Sequence, residues 1–91
     1  MTALSAAVDA DHIDIVRLLL SRGADPNAAR NTGVTCLMIA ASEGDTELVE
    51  LLLSAGADVD ATDAVGTSAL SAAVDGGHAE VVDLLLARGA G

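Results

Sequence analysis

The chain contains no Phe, Tyr or Trp. Its core must therefore be made of Ala, Val, Ile and Leu, a fine-grained set that suits thin stacked layers. A single Cys excludes an internal disulfide, and the N-terminus has no signal-like stretch, so the expected setting is the reducing cytosol. Basic residues are scarce: four Arg and no Lys stand against fourteen Asp and Glu, a formal net charge of −10. Nucleic-acid binding needs a basic stripe that displaces counterions, and this chain would repel a phosphate backbone, which removes DNA and RNA as partners. No apolar run approaches the roughly 18 residues of a membrane span, which removes the membrane. At 91 residues the chain is one domain, residues 1–91. A globule of that size buries little more than about 60% of its unfolded surface and is thinly stable.

What is present is repetition. Residues 2–24 read TALSAAVDADHIDIVRLLLSRGA and residues 68–90 read SALSAAVDGGHAEVVDLLLARGA, with 15 of 23 positions identical at a separation of 66. A middle copy lies halfway, at 35–57, as TCLMIAASEGDTELVELLLSAGA. Leu4, Leu37 and Leu70 are in step, as are Gly23, Gly56 and Gly89, so the period is 33 residues. Repeats fall at approximately 1–29, 30–62 and 63–91, and a strict period of this length means a stacked array.

Each copy divides into the same pieces. The segment after Thr2, Thr35 or Ser68 has no Gly or Pro for about two helical turns. A polar elbow follows at 9–11, 42–44 and 75–77. Then Ile15, Val16, Leu19 and Leu20, with Leu48, Val49, Leu52 and Leu53, and Val81, Val82, Leu85 and Leu86, draw an apolar stripe at helical spacing. Gly23, Gly56 and Gly89 stand where a helix ends in a left-handed residue. Residues 24–34 and 57–67, rich in Asp, Asn, Thr and Gly, read as turn-forming fingers. Two short antiparallel helices cannot bury their apolar faces alone, but stacked on a neighbour they can. Ala6, Ala7, Ala40, Ala41, Ala72 and Ala73 would let first helices approach closely. Only the middle copy would be covered on both sides.

This pattern resembles the ankyrin repeat, a 33-residue unit with a G-x-T-P-L-H-x-A signature, a β-turn finger and two helices. Gly33 to Ala41 fits it with Cys36 for Pro and Met38 for His, and Gly66 to Ala73 fits with Ser68, Ala69 and Ser71 at the Thr, Pro and His places. Gly77-His78 and the G-A-D runs at 23–25 and 56–58 also fit. The resemblance implies an all-α solenoid of stacked helix-turn-helix units with β-turn fingers. It also implies that a looser array results where the Pro and His are missing. Asp63 keeps the family's finger-start residue and Arg30 replaces it, so the first finger is expected to be the less rigid.

No constellation for catalysis is found. His12 and His78 occupy equivalent positions two layers apart, roughly 20 Å, too far to act together. Each starts a second helix, where a polar cap is the ordinary role. No H-E-x-x-H, C-x-x-C or phosphate-cradling loop is present. Cys36 starts a first helix, where the dipole favours a thiolate, but the repeat frame puts no His beside it and a small filler thiol is expected. Asp58, Asp60 and Asp63 lack a calcium loop's final bidentate Glu, since Ala69 stands there. Neither enzyme activity nor any cofactor or metal is expected.

The resemblance implies a non-enzymatic protein-protein interaction module that contacts a partner through its fingers, first helices and elbows. Carried onto this chain, those positions are Asn31, Thr32 and Val34, then Ala64, Val65 and Thr67, with Asp9, Ser42, Glu43 and Asp75 at the elbows. Arg30 is the one residue there of a type that commonly anchors interfaces. The acidic elbows call for a protein partner with a basic face. A different role is a fragment or an engineered minimal scaffold that associates end to end as a homo-oligomer, because Leu86 stays apolar where an array is usually capped by polar residues.

Overall fold

The computed structural model describes residues 2–90; Met1 and Gly91, the ends of the expected domain, lie outside them. Six helices follow in chain order: α1 (Ala3–Asp9), α2 (Ile13–Ser21), α3 (Cys36–Glu43), α4 (Thr46–Ser54), α5 (Ala69–Asp75) and α6 (Ala79–Ala87). They form three hairpins, α1/α2, α3/α4 and α5/α6, with first helix packed on first helix along the stack. Among the described residues there is no strand, only isolated antiparallel bridges, Ala29 with Thr35 and Thr62 with Ser68, that close the two fingers.

Local chemistry sets each boundary. Thr2, Thr35 and Ser68 cap the first helices, their hydroxyls accepting from the amides of Ser5, Met38 and Ser71 at 3.0, 3.3 and 3.2 Å. The residues at the family's His place bond back. Ser5 Oγ and Ser71 Oγ accept from the Thr2 and Ser68 amides at 3.0 and 2.9 Å, whereas Met38 offers only a sulfur at 3.5 Å. Without the His, the terminal repeats still close a reciprocal capping box, and the middle repeat closes a weak one. The second helices end as their glycines require. Gly23, Gly56 and Gly89 have φ of +90°, +100° and +98°. The amides of Ala24, Ala57 and Ala90 reach back to the carbonyls of Leu19, Leu52 and Leu85, each at 3.0 Å, which is a Schellman closure.

The elbows repeat that device, with Asp11, Gly44 and Gly77 at φ +59°, +74° and +70°. Beyond the elbow, the ordinary capping role expected of the two histidines is not what they perform. His12 and His78 sit at N-cap positions of α2 and α6, yet neither ring caps its helix. Only Asp45 caps, accepting from the Leu48 amide at 3.2 Å. The His78 ring instead reaches into the previous repeat, where Nε2 donates to the Ser42 carbonyl at 3.0 Å. It lies against Gly44 so closely that a Cβ there would come within 2.4 Å of the ring. His78 is therefore a joint between layers.

The core runs along the stack. Leu4, Leu37, Leu48, Leu52 and Leu85 are fully enclosed, with Val8, Val16, Val49 and Val81 between them. Six consecutive residues of α3, Cys36 to Ala41, are buried, which only an element covered on both sides can achieve. Of the small residues expected between first helices, Ala7, Ala40, Ala41 and Ala73 are buried, Ala72 is half-buried and Ala6 is exposed. The apolar stripe is incomplete at its ends: Ile15 and Leu86 are exposed, because no further repeat among the described residues covers them.

Two outcomes follow. Leu52→Ala empties a fully enclosed site and should cost about 2–5 kcal/mol, a large share of a small domain's stability, whereas Leu86→Ala should cost under about 1.5 kcal/mol. Thermal melts followed by circular dichroism would measure both, and equal losses would contradict the stacked core. Alanine at Gly44 or Gly77 carries the left-handed strain of about 1–2 kcal/mol, but only at Gly44 must it also displace the His78 ring. Gly44→Ala should therefore lose more than Gly77→Ala, and the difference should vanish in a His78→Ala background. A difference that survived the loss of the ring would contradict the joint.

Candidate protein-interaction surface

The fingers are built by short hydrogen-bonded turns that the two sequences support unequally. In both, the first turn residue bonds across: the Arg30 amide donates to the Val34 carbonyl at 3.0 Å and the Asp63 amide to the Thr67 carbonyl at 2.9 Å. Asp63 Oδ1 then also accepts from the Val65 and Thr67 amides at 3.0 and 2.9 Å. Arg30 cannot accept, so the first finger lacks those two bonds, as its sequence leads one to expect. The fingers lean on each other through the Ala64 amide and the Thr32 carbonyl, 2.8 Å apart. A second tie between layers comes from Asn27, whose side chain accepts from the Asp58 amide at 2.6 Å and donates to the Gly56 carbonyl at 3.1 Å.

Arg30 differs from the free anchor expected of a fingertip. Its guanidinium pairs with the Asp9 carboxylate on the elbow of the first repeat, and its side chain is only about a third exposed. The Nε atom is buried without a partner. The long side chain lies down from the finger toward the first elbow, which closes one wall of an open groove. Asp9, Arg30, Val34, Ser42, Glu43 and Thr67 line this groove together, so the structure brings these expected residues to one place. Met38, Ile39, Asp63 and Ala72 complete its floor and far wall. Sequence reading missed those four because they carry the first-helix and finger-start signals of structural residues; Met38 and Ile39 are themselves part of the core. Ser42 contributes less than expected, since its hydroxyl donates inward to the Ile39 carbonyl at 2.8 Å.

The other expected residues lie elsewhere. Asn31 and Thr32 border a separate shallow depression with Ala29. Ala64 and Val65 are exposed at the tip of the second finger, Val65 at 85%, a bare aliphatic side chain in water. Asp75 is exposed on the third elbow.

The elbow carboxylates repel one another. The carboxyl of Glu43 is pushed up from the usual value first by partial desolvation and then by the charges of Asp11, Asp9 and Asp45. Asp11 is raised chiefly by the Asp45 side chain, with which it can share a proton, with His12 opposing. Cys36 is raised by burial above all, against a lowering by Arg30, so the thiol at this helix start is a buried side chain whose thiolate form is disfavoured. Among the described residues, no three His, Cys, Asp or Glu side chains gather to hold a metal ion. Asp58 and Asp63, which the sequence shows without a calcium loop's final Glu, accept from nearby backbone amides, Asp58 from that of Asp60 at 3.0 Å. No helix among the described residues is long and apolar enough to cross a membrane.

A carboxyl raised in the folded chain contributes stability that is complete below its ordinary value and is lost as pH rises through its folded one. The melting temperature at low salt should therefore be higher at about pH 5 than at about pH 7.5. Glu43→Gln should narrow that difference, as should added salt. A melting temperature that rises with pH over this range would contradict the repulsion.

No curated protein matches the sequence. Residues 4–91 match the family described as Ankyrin repeats (3 copies), whose units generally serve as protein-interaction modules. With the 33-residue period, the paired helices, the bridged fingers and that match in hand, the chain belongs to the ankyrin-repeat family.

Proposed function

We propose that the protein binds another protein, without catalysing a reaction, through the groove between its fingers and first helices, and that the bound segment is basic. The observation that carries this reading is the meeting of Asp9, Val34, Glu43, Asp63 and Thr67 along one open groove, where only Arg30 offsets the carboxylates. A Lys or Arg side chain laid there would offset the desolvation and the neighbouring carboxylate charges that together raise Glu43, and Val34 and Ile39 would cover its aliphatic stem. The overall charge of −10 would speed the encounter. Affinity is expected to be modest, since the groove has no aromatic anchor and its arginine is already paired. A reducing cytosolic setting belongs to the proposal and agrees with the unpaired, buried Cys36.

A second reading is a scaffold with no dedicated partner that associates through its ends. The exposed Ile15, Leu18, Val74 and Leu86 favour it.

A synthetic peptide of about ten residues rich in Lys and Arg, titrated into labelled protein and followed by NMR, tests the first reading. Amide shifts should gather at Val34, Glu43 and Thr67, weaken with salt and shrink in Glu43→Gln, while Asp83→Asn on the last helix should change little. Shifts spread evenly over all acidic residues would reduce the interaction to net charge and sink the proposed groove.

A further inference from the structure

We propose that the chain stacks head to tail on a second copy of itself, the open face of the third repeat receiving the open face of the first, in the register of its own internal layers. The inference rests on the second reading above, to which it gives an occupant and a register, and is independent of the groove.

The two end faces are made of positions that bury against each other inside the chain. Leu48 and Val81 are fully enclosed, and their equivalent Ile15 is 47% exposed, with Leu18 beside it at 52%. These positions face the preceding repeat. Val8 and Ala41 are fully enclosed, and their equivalent Val74 is 59% exposed, with Leu86 at 51%. These face the following one. A junction between copies would set Val74, Val82 and Leu86 against Ile15 and Leu18. That pairing matches the junction of repeats one and two, where Val8 and Leu48 are both buried completely. No apolar position changes to polar.

The elbow supplies the second argument. Where repeat three presents a His to repeat two, the receiving elbow carries Gly44, and a Cβ there would strike the ring. Where repeat two presents Asp45, the receiving elbow tolerates Asp11, a residue with a Cβ at positive φ. The outer elbow of repeat three carries Gly77, with no neighbour within 4 Å of a Cβ built on it, so the space that Gly44 leaves for the His78 ring is open there as well. The repeat that would present a ring to it is repeat one, through His12. The ring must tilt from the pose of His78, because Ala10 stands where repeat three has Gly76, whose added Cβ would come within 2.6 Å of the His78 ring. The fit therefore rests on the missing Cβ at Gly77, and no hydrogen bond from His12 is invoked.

Charge opposes the contact and sets its salt dependence. Arg17 and Glu47 bridge the first internal junction at 3.4 Å. The same two positions in a junction between copies are Asp83 and Asp14, the latter 3.9 Å from its own Arg17. Like charges there, and −10 on each copy, make the association weak and strengthened by salt, the reverse of the dependence expected in the groove. A head-to-tail contact is heterologous and grows without closing.

Sedimentation velocity of the 91-residue chain from about 10 μM to about 1 mM tests this, in about 0.05 M and about 1 M NaCl. The mean mass should rise with concentration past that of a dimer, and more so in high salt. Leu18→Glu and Leu86→Glu each block one face at an exposed site and should weaken association at least about tenfold alone. Mixed one to one, they should form a dimer that grows no further, since each supplies the face the other lacks. A parent that stays monomeric at the highest concentration and salt overturns the proposal. So does either variant that dimerises alone, which would mean like faces meet. Should a glutamate variant fail to melt cooperatively, serine at the same position replaces it, with the same crossing expected. The groove titration with the basic peptide should be unchanged in Leu86→Glu, so failure of one idea leaves the other standing.

Discussion

Everything in this molecule depends on burial that no hairpin can complete alone. A seven-residue helix and a nine-residue helix, such as α1 with α2, present aliphatic side chains on more than one side. Without aromatic residues, no single side chain is large enough to cover what is left open. The neighbouring repeat provides the cover. That is why α3 can bury six residues in a row, why Leu48 and Val49 are sealed, and why the same positions become exposed at Ile15 and partly exposed at Val82. Stability in such an array is a sum over junctions, so a change in one layer is felt chiefly by the layers it touches.

The junctions are more individual than the repetition suggests. The first is tied by Arg17 to Glu47, by Arg30 to Asp9 and by Asn27 to the backbone at Gly56 and Asp58. The second is tied by the His78 ring in the shelter of Gly44. Arg30 serves both structure and site: the side chain that joins two repeats is also one wall of the groove, and it neutralises one of the carboxylates there. The groove keeps its negative character because Glu43 and Asp63 have no such partner on its walls.

Much of this was legible in the sequence, because the 33-residue period fixes which residues are equivalent and the glycines fix where helices stop. The stripes from Val16 to Leu85 and the turn-forming fingers follow from local rules, and the weaker support of the first finger by Arg30 follows from the resemblance to the ankyrin repeat. The histidines did not, since a polar residue at a helix start looks like a cap. Only the position of Gly44 one repeat earlier distinguishes a cap from an interlayer joint. The pairing of Arg30 with Asp9 was equally hidden, because 21 residues separate them and an arginine at a fingertip is read as free. The groove floor escaped notice for a related reason: Met38, Ile39 and Ala72 lie on helices whose core role was already accounted for.

Residue-resolved hydrogen exchange on the native chain tests the central claim most directly. If each layer is held by its neighbours, protection should peak in α3 and α4 and fall toward α1, α2, α5 and α6 on both sides, under conditions where the chain is monomeric. Uniform protection across all six helices, or a maximum in a terminal hairpin, would contradict the account, because it would mean that a repeat keeps its own core dry without help.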